Sequence, residues 1–303
     1  MKTSRLLTKS DFDGVLCAAL LKHADLIDEI VFVNGFDFEG GRVLMQEGDI
    51  TCNLPYRDSV SLAFEYGKDS QGDAHISDPA ANSCSGLVYG HCKEKFEDLD
   101  QEILGALLAA AEKASMARYS EEEVLNPKGY DMLSFLMDAR TGIGRVRAFK
   151  ISNYALMIKL ADLLLTEPID RIMALEDIEE RVEYYRDSAE DYREMLEECA
   201  TEEAGVLVLD LRNEVFVRPA NRFVKYALFP DSKFAIQIMW GLKKQNTVIA
   251  LGKSIFHEKE GLNLEELLKP YGGISRKNSG SVQVSSEDAD RVLDELFDAL
   301  KQA

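Results

Sequence analysis

Two aspartates stand two positions apart in the segment SDFDGVLCAALL, residues 10–21. Asp11 and Asp13 precede Gly14 and an apolar run at helical spacing, so they fall at a turn between a short strand and a helix. Two carboxylates on one turn can bind a hard cation such as Mg²⁺ or Mn²⁺. The alternative is that an acidic side chain only caps the helix N-terminus. The motif alone leaves both interpretations open.

A second candidate site lies in the segment YGGISRKNSG, residues 271–280. Adjacent glycines allow a backbone that exposes amides, and an arginine guanidinium can hold phosphate oxygens in a fork. A solvated turn is the alternative. The candidate substrate-binding residues here and in two nearby segments are Arg222, Lys225, Lys253, Gly272, Gly273, Arg276, Lys277 and Asn278.

The charge of the chain is strongly negative but unevenly distributed. The formal net charge is −19 over 303 residues. From residue 201 onward 14 Lys and Arg oppose 15 Asp and Glu, whereas residues 1–200 carry 21 against 39. Phosphate-binding capacity is therefore expected in the C-terminal third. A long groove for nucleic acid is not expected, because such binding depends on neutralising many phosphates.

The first half of the sequence alternates short β-type runs with helical ones. The β-type runs are SRLLT, EIVFVN (29–34), DITCNL (49–54) and SLAFEY (61–66), and a helix is predicted from Val15 to about His23. This alternation predicts an α/β fold with a parallel sheet covered on both faces. Ligands of such sheets bind beyond the carboxyl ends of the strands, where Asp11, Asp13, Asn53 and Glu65 would lie.

The chain is predicted to divide into two domains joined by a helix. Apolar residues at steps of three and four follow one face of an acidic segment up to Cys199. This face either packs within the chain or also helps to form a homodimer. The predicted division is a first domain at 1–168, a connecting helix at 169–203 and a β-rich second domain at 204–303, with the domain boundary within 195–204.

The five cysteines and four histidines show no spacing typical of metal ligands. The cysteines are far apart and several lie in apolar helical patterns, which favours buried thiols in a reducing cytoplasm. No run is long and apolar enough to cross a membrane, so no membrane association is expected.

Taken together, the ordered segments resemble the DHH/DHHA1 phosphoesterase superfamily, and most closely its exopolyphosphatase-related branch. The first-domain segments are LLTKSDFDGVLCAALLK, NLPY, SDPAANSCSGLVY and FLMDARTG. The segments that look like the DHHA1 substrate-binding domain are NRFVKYALFPDS, GKSIF and ELLKPYGGISRKNSGSVQV.

The resemblance implies a two-domain clamp. A parallel-sheet DHH domain would hold two Mn²⁺ or Mg²⁺ ions that activate water, and a long helix would join it to a smaller α/β DHHA1 domain that grips the substrate. The family acts on short oligonucleotides, cyclic dinucleotides, 3′-phosphoadenosine phosphate, pyrophosphate or polyphosphate. The residues that the resemblance assigns to the catalytic centre are Asp11, Asp13, Asp138 and, with less of the motif retained, Glu65.

The sequence departs from the family pattern at several motif positions. Glu65, Tyr66 and Gly67 stand where the Asp-His-His signature belongs, and either Asn53 or Asp49 occupies the second-motif position. The glycine-rich loop carries Ile274 and Ser275 in place of two glycines, and Arg276 in place of its histidine.

These departures predict one Mn²⁺ or Mg²⁺ ion at most, or none, because a two-metal centre needs bridging carboxylate and imidazole ligands. Three functions follow, and whether the chain is an enzyme is left open. The leading one is a former phosphoesterase that still binds a phosphorylated small molecule or short oligonucleotide. The others are an active phosphoesterase and a non-enzymatic protein that binds partners through its acidic helix.

Overall fold

The computed structural model describes residues 4–257 and 261–303, and the chain packs as two compact units. The first unit runs to Tyr119 and resumes over Pro127–Tyr185. The second combines Ser120–Asn126 with Arg186–Ala303. A short separate segment, 120–126, therefore joins the second unit. The predicted division at 1–168, 169–203 and 204–303 stays a prediction.

The sheet of the first unit has five short strands, all parallel to their neighbours. They are β1 (Arg5–Thr8), β2 (Glu29–Phe32), β3 (Ile50–Cys52), β4 (Leu62–Tyr66) and β5 (His75–Asp78), in the spatial order β2-β1-β3-β4-β5. Leu6 and Leu7 of β1 are both fully buried, as are Ala63 and Phe64 of β4. Since successive residues of a strand point to opposite faces, the sheet is covered on both sides. The predicted parallel α/β architecture is confirmed.

Twelve α-helices lie in the described part of the chain. They are α1 (Phe12–His23), α2 (Gly35–Glu39), α3 (Cys84–His91), α4 (Gln101–Met116), α5 (Glu121–Leu125), α6 (Gly129–Met137), α7 (Asn153–Leu163), α8 (Ile169–Met173), α9 (Glu176–Cys199), α10 (Val224–Leu228), α11 (Leu264–Leu268) and α12 (Ala289–Lys301). In the first unit α1 contacts α3, α4 and α7. In the second unit α5 contacts α10, which explains why 120–126 belongs there.

Helix α1 begins directly after the aspartate turn. Asp11 is its N-cap, and the Asp11 carboxylate accepts a hydrogen bond from the Gly14 N–H at 2.9 Å. A Cβ at Gly14 would lie 2.1 Å from the carbonyl oxygen of Lys9, so only glycine allows this close approach of the first helical turn to the preceding loop. Capping accounts for Asp11 and leaves Asp13 to be explained.

The sheet of the second unit has six strands, mostly antiparallel. They are β6 (Ala200–Glu203), β7 (Val206–Asp210), β8 (Phe234–Trp240), β9 (Thr247–Lys253), β10 (Ile274–Arg276) and β11 (Ser279–Val284), in the order β10-β11-β9-β8-β7-β6. Among these described strands, only β7 and β8 pair in parallel. Residues of the sheet, α11 and α12 form one core that includes Ile236, Ile249, Leu268 and Leu296. Each such fully buried aliphatic side chain contributes about 1.5–3 kcal/mol.

Two local predictions differ from the structure. The predicted helix at 169–203 consists of α8, then α9, and ends in strand β6. The segment 271–280, interpreted above as a binding segment or a solvated turn, contains β10, an edge strand of three residues that is too short to show an alternating pattern. The apolar face of α9 is covered within the single chain, because Ile178, Val182, Tyr185, Tyr192 and Leu196 are buried.

The cysteines follow the predicted burial in part. Cys17, Cys52 and Cys84 are buried, whereas Cys92 and Cys199 are partly exposed, and all five are free thiols. Within residues 4–257 and 261–303, no helix combines the length and apolar character needed to span a membrane.

Candidate functional site

The candidate site of the first unit lies at the carboxyl edge of its parallel sheet. Strands β1, β3 and β4 are neighbours there, and the chain leaves them at Thr8, Cys52 and Tyr66. Because parallel strands end at the same edge, the segments that follow bring Asp11 and Asn53 to one place. The predicted location of the site is thus the one that the topology provides.

Asp13 belongs to α1, and its buried carboxylate lies against the N-terminus of α3. It is 2% exposed, and its two oxygens accept backbone N–H bonds from Cys84 and Ser85, both at 2.9 Å. Burial raises the pKa of Asp13 to about 7; the nearby Cys84 and Asp11 add to this effect, and the Ser85 N–H opposes it. Asp13 therefore supplies acceptors to the first turn of α3, whose N–H groups have no partner within the helix.

Asn53, and not Asp49, lies beside Asp13. The Asn53 side-chain amide donates to Asp13 at 3.4 Å, and its oxygen accepts from the Lys9 ammonium at 3.2 Å. Asp49 instead pairs with Arg5 at 2.8 and 3.0 Å. The backbone of Asn53 is left-handed (φ +59°), a conformation that asparagine tolerates better than most residues. Asn53 thus occupies the position next to the aspartate motif, with a donor directed at it.

Tyr66 and Glu65 point to opposite faces of β4, as successive strand residues must. Burial raises the pKa of Tyr66 to about 12, and the charges of Asp13 and Asp11 add to this effect. Tyr66 therefore belongs to the aspartate group. The Glu65 carboxylate accepts from the Tyr56 N–H at 3.1 Å and lies 3.4 Å from the buried His75 Nε2. Its role as a metal ligand stays a prediction.

Asp138 ends α6 and binds a guanidinium. Its carboxylate accepts from the Arg140 backbone N–H at 2.9 Å and from Nε and Nη2 of the same residue, each at 2.7 Å. Although burial opposes it, the charges and hydrogen bonds of Asp138, with the charge of Asp11, raise the pKa of Arg140. A permanent side-chain cation therefore stands near two of the three predicted metal ligands.

The residues at this edge do not fit a pair of divalent ions. The oxygens of Asp13 receive backbone donors, Asn53 offers Asp13 an amide donor, and Arg140 neutralises Asp138. A two-ion centre needs several free anionic or imidazole ligands around each ion. These side chains therefore do not support chemistry by a metal pair.

In the second unit, basic residues gather at the end of β9 and at the hairpin between β10 and β11. The Lys253 N–H donates to the carbonyl of Asn278, and burial together with the charge of Lys277 lowers the pKa of Lys253. Arg276 pairs with Ser279 across the hairpin, so Lys277 and Asn278 form its turn. The structure brings these four predicted residues together.

The two basic residues of the α10 region, Arg222 and Lys225, lie near each other. Burial and the charge of Arg222 lower the pKa of Lys225 to about 8. A Cβ at Gly252 would lie 2.6 Å from the Tyr226 hydroxyl, so Tyr226 of α10 packs directly on the residue before Lys253. Helix α10 therefore lies against the end of β9 that carries Lys253.

The predicted glycines have structural roles that the structure makes visible. Gly272 adopts a left-handed conformation (φ +67°), and a Cβ at Gly273 would lie 2.7 Å from side-chain atoms of Leu268 and Val282. Their N–H groups donate to Lys269 and Leu268 carbonyls. Their part in phosphate binding stays a prediction, since these amides are already satisfied within the unit.

Sequence reasoning missed Lys9 and Arg140. The signal for each is its position beside a predicted metal ligand: Lys9 lies two residues before Asp11, and Arg140 lies two residues after Asp138. Neither position implies a contact until the backbone turns are known, because a long basic side chain has many accessible rotamers.

No family model matches the chain, and no curated protein matches it either. A solved structure described as the pGpG-specific phosphodiesterase PggH from Vibrio cholerae is 39% identical, covers 99% of both chains and has a TM-score of 0.87. A DHH domain from a member of a ribosomal-protein family is 10% identical, with a TM-score of 0.66 over 99% of this chain and 86% of that one. RecJ from Thermus thermophilus in complex with Mn²⁺ is 11% identical, with a TM-score of 0.59 over 99% of this chain and 52% of RecJ.

A parallel sheet with carboxylates at its carboxyl edge, followed by a mixed α/β unit, defines a two-unit α/β protein. Together with the full-length similarity to PggH, this architecture shows that the chain belongs to the DHH/DHHA1 superfamily. The two distant likenesses concern the fold alone, and the Mn²⁺ is a property of the RecJ structure.

Proposed function

We propose that this chain binds a short linear oligonucleotide, with a guanine dinucleotide of the pGpG kind as the leading candidate. The observation that carries the proposal is a set of three lysines that form no ion pair with the described residues; the ammonium of one of them, Lys253, donates to the Leu262 carbonyl. Among the described residues, no carboxylate lies within ion-pair distance of Lys225, Lys253 or Lys277. These three side chains nevertheless lie in a chain whose acidic residues outnumber its basic ones by 19.

Like charges held close together cost free energy unless an anion relieves the repulsion. The lowered pKa values of Lys225 and Lys253 express that cost, since burial and a neighbouring cation both disfavour the charged form. A phosphate bound among these residues would restore the charged form and form strong charge-assisted hydrogen bonds. The arrangement therefore supports a role of the second unit in binding phosphates.

A short ligand fits the charge distribution better than a long one. Residues 1–200 carry a net charge of −18, which would repel the phosphates of an extended strand. The similarity to a pGpG-specific phosphodiesterase supports a dinucleotide as the first ligand to test. The exopolyphosphatase-related assignment stays a prediction, with inorganic polyphosphate as the competing ligand.

We further propose that hydrolysis by a metal pair is not part of this function. At most one Mn²⁺ or Mg²⁺ ion would be held by Asp11, Asp13 and Asp138, with Glu65 as an additional ligand only if its side chain turned away from His75. The occupied oxygens of Asp13 and Asp138 support this view.

Calorimetric titration tests the proposed binding. pGpG, 3′-phosphoadenosine phosphate, polyphosphate and inorganic phosphate are titrated into the wild-type chain and into Arg276→Ala and Lys277→Ala. Loss of a hydrogen bond to a charged group is expected to cost about 1.5–3 kcal/mol, roughly 10- to 150-fold in Kd. Lys243→Ala is the charge-matched control, because Lys243 lies in the turn at the opposite end of β9. Equal affinity in all variants would reject the assignment.

The second candidate is an active phosphodiesterase, which the 39% identity to PggH favours. Mn²⁺-dependent release of mononucleotides from pGpG is compared in the wild type and in the Asp11→Asn/Asp13→Asn variant. Turnover that disappears in the variant would establish the enzyme. Binding without turnover supports the binding protein. The absence of both binding and turnover would favour a protein that binds partners through its acidic helix α9.

A further inference from the structure

Three cysteines from distant parts of the sequence meet inside the first unit. Cys17 lies on α1, Cys52 is the last residue of β3, and Cys84 is the first residue of α3. All three are fully buried, and their sulfur atoms lie within 4.8 Å of one another. The three sulfur atoms therefore meet at one point in the core.

The cluster lies directly beneath the aspartate turn. The backbone N–H of Cys84 donates to Asp13, and its thiol donates to the Phe64 carbonyl at 3.0 Å. Cys52 is followed at once by Asn53, which donates to the same aspartate.

The donor set selects the class of cation. Thiolate sulfur is a soft ligand that prefers soft ions such as Cu(I). Zn²⁺ also binds thiolates, but its structural sites have four ligands in a tetrahedral arrangement. Within the residues that the structure describes, this group contains three histidine, cysteine or carboxylate donors and no fourth. Three convergent sulfurs without a fourth ligand match a trigonal ion.

We propose that Cys17, Cys52 and Cys84 form a binding site for one soft, three-coordinate cation of the Cu(I) class. Three S–H protons pass to solvent as three metal–sulfur bonds form, and no oxidation state changes. A bound ion would tie α1, β3 and α3 together beneath Asp13, and this site is independent of nucleotide binding.

Anaerobic titration with Cu(I) tests the site. Copper is supplied to the reduced protein with a chromogenic Cu(I) chelator as competitor, and the mixture is left to equilibrate because entry requires a transient opening of the core. One tightly bound Cu(I) per chain is expected. Cys17→Ala, Cys52→Ala and Cys84→Ala should each weaken binding by more than about a hundredfold, the upper range for losing only an outer-shell partner. Cys92→Ala and Cys199→Ala are the matched controls and should retain the full equivalent.

Two further measurements keep the proposal falsifiable if a core variant fails to fold. X-ray absorption of the copper-loaded wild type should give three sulfur neighbours, and the melting temperature should rise with Cu(I) concentration, since a ligand of the folded state stabilises it. No uptake by the wild type would overturn the proposal. So would two-sulfur coordination, or tighter binding of Zn²⁺ than of Cu(I).

Discussion

The guanidinium of Arg140 holds the carboxylate of Asp138 through two parallel contacts, with Nε and Nη2 each 2.7 Å from an oxygen. Both residues lie in the DART sequence (138–141) that follows α6, so the contact is local and depends little on the rest of the fold. The charge of Asp11 also raises the pKa of Arg140. The guanidinium therefore supplies positive charge beside two carboxylates that are predicted metal ligands.

This relationship predicts that removing the guanidinium improves metal binding. In Arg140→Gln the carboxylates of Asp138 and Asp11 lose their neutralising charge, so a divalent cation should bind there more tightly. We expect the melting temperature of Arg140→Gln to be higher in Mn²⁺ than in chelator, whereas the wild type should show little difference.

Arg140→Lys is the matched control, since it keeps a positive charge beside Asp138 but cannot form the two parallel hydrogen bonds of a guanidinium. It should remain insensitive to Mn²⁺. An equally large Mn²⁺ shift in the wild type would mean that Arg140 does not compete with a metal.

Asp13 predicts an unusual dependence of stability on pH. Its pKa rises from about 4 in the unfolded chain to about 7 in the folded one, so between these values the folded state binds the extra proton. The contribution of Asp13 therefore makes the free energy of unfolding fall as pH rises from 4 to 7, by up to about 4 kcal/mol, and then level off.

Urea unfolding of the wild type and Asp13→Asn in chelator, across pH 4 to 8, measures this contribution as the difference between the two curves. Glu97→Gln, an exposed carboxylate on the same unit, serves as the control. If the curves of wild type and Asp13→Asn run parallel throughout, Asp13 does not take up the proton.

The sequence predicts much of this fold because its signals are local. The alternation of strands and helices gives the parallel sheet, and the Asp11–Gly14 spacing gives the cap of α1. The carboxyl-edge rule also distinguishes Asn53 from Asp49, because Asp49 precedes β3 and Asn53 follows it. That distinction needs the strand bounds to within one residue, and a short strand rarely reveals them.

Other features depend on distances that no local pattern encodes. Cys17, Cys52 and Cys84 are separated by more than 30 residues in sequence, and only the parallel order of β1, β3 and β4 brings their elements together. The orientation of Glu65 also depends on a contact that is distant in sequence, since its partner His75 lies on the neighbouring strand β5. Pairing between strands, and not periodicity within them, decides these contacts.

Gly14 provides a test of the aspartate turn itself. In Gly14→Ala the new Cβ would overlap the Lys9 carbonyl oxygen, so either α1 or the turn must move. We expect destabilisation of about 3 kcal/mol or more, measured by chemical denaturation. Gly105→Ala in α4 is the matched control: its Cβ would meet open space, so the higher helix propensity of alanine should stabilise by about 0.5–1 kcal/mol. Similar effects of both substitutions would contradict the close approach at Gly14.

The proposed phosphate site predicts that binding weakens with pH near Lys225. Burial and Arg222 lower the pKa of this lysine to about 8, so its side chain loses its charge between pH 7 and 9. A 5′-phosphate is already fully ionised in that range, with a second pKa near about 6. If only the charged lysine binds phosphate, the Kd for pGpG should rise about tenfold from pH 7 to 9.

Two variants of Lys225 separate a lost charge from a lost contact. Lys225→Arg keeps its charge throughout, so its Kd should stay nearly constant over this pH range. Lys225→Gln has no charge to lose, so its Kd should be uniformly high and equally flat. A tenfold rise that persists in Lys225→Gln would assign the titration to another group, and a flat wild-type profile would mean that the Lys225 ammonium does not contact the phosphate. Only the combination of a sloping wild type with two flat variants, one tight and one weak, places the lysine charge in the site.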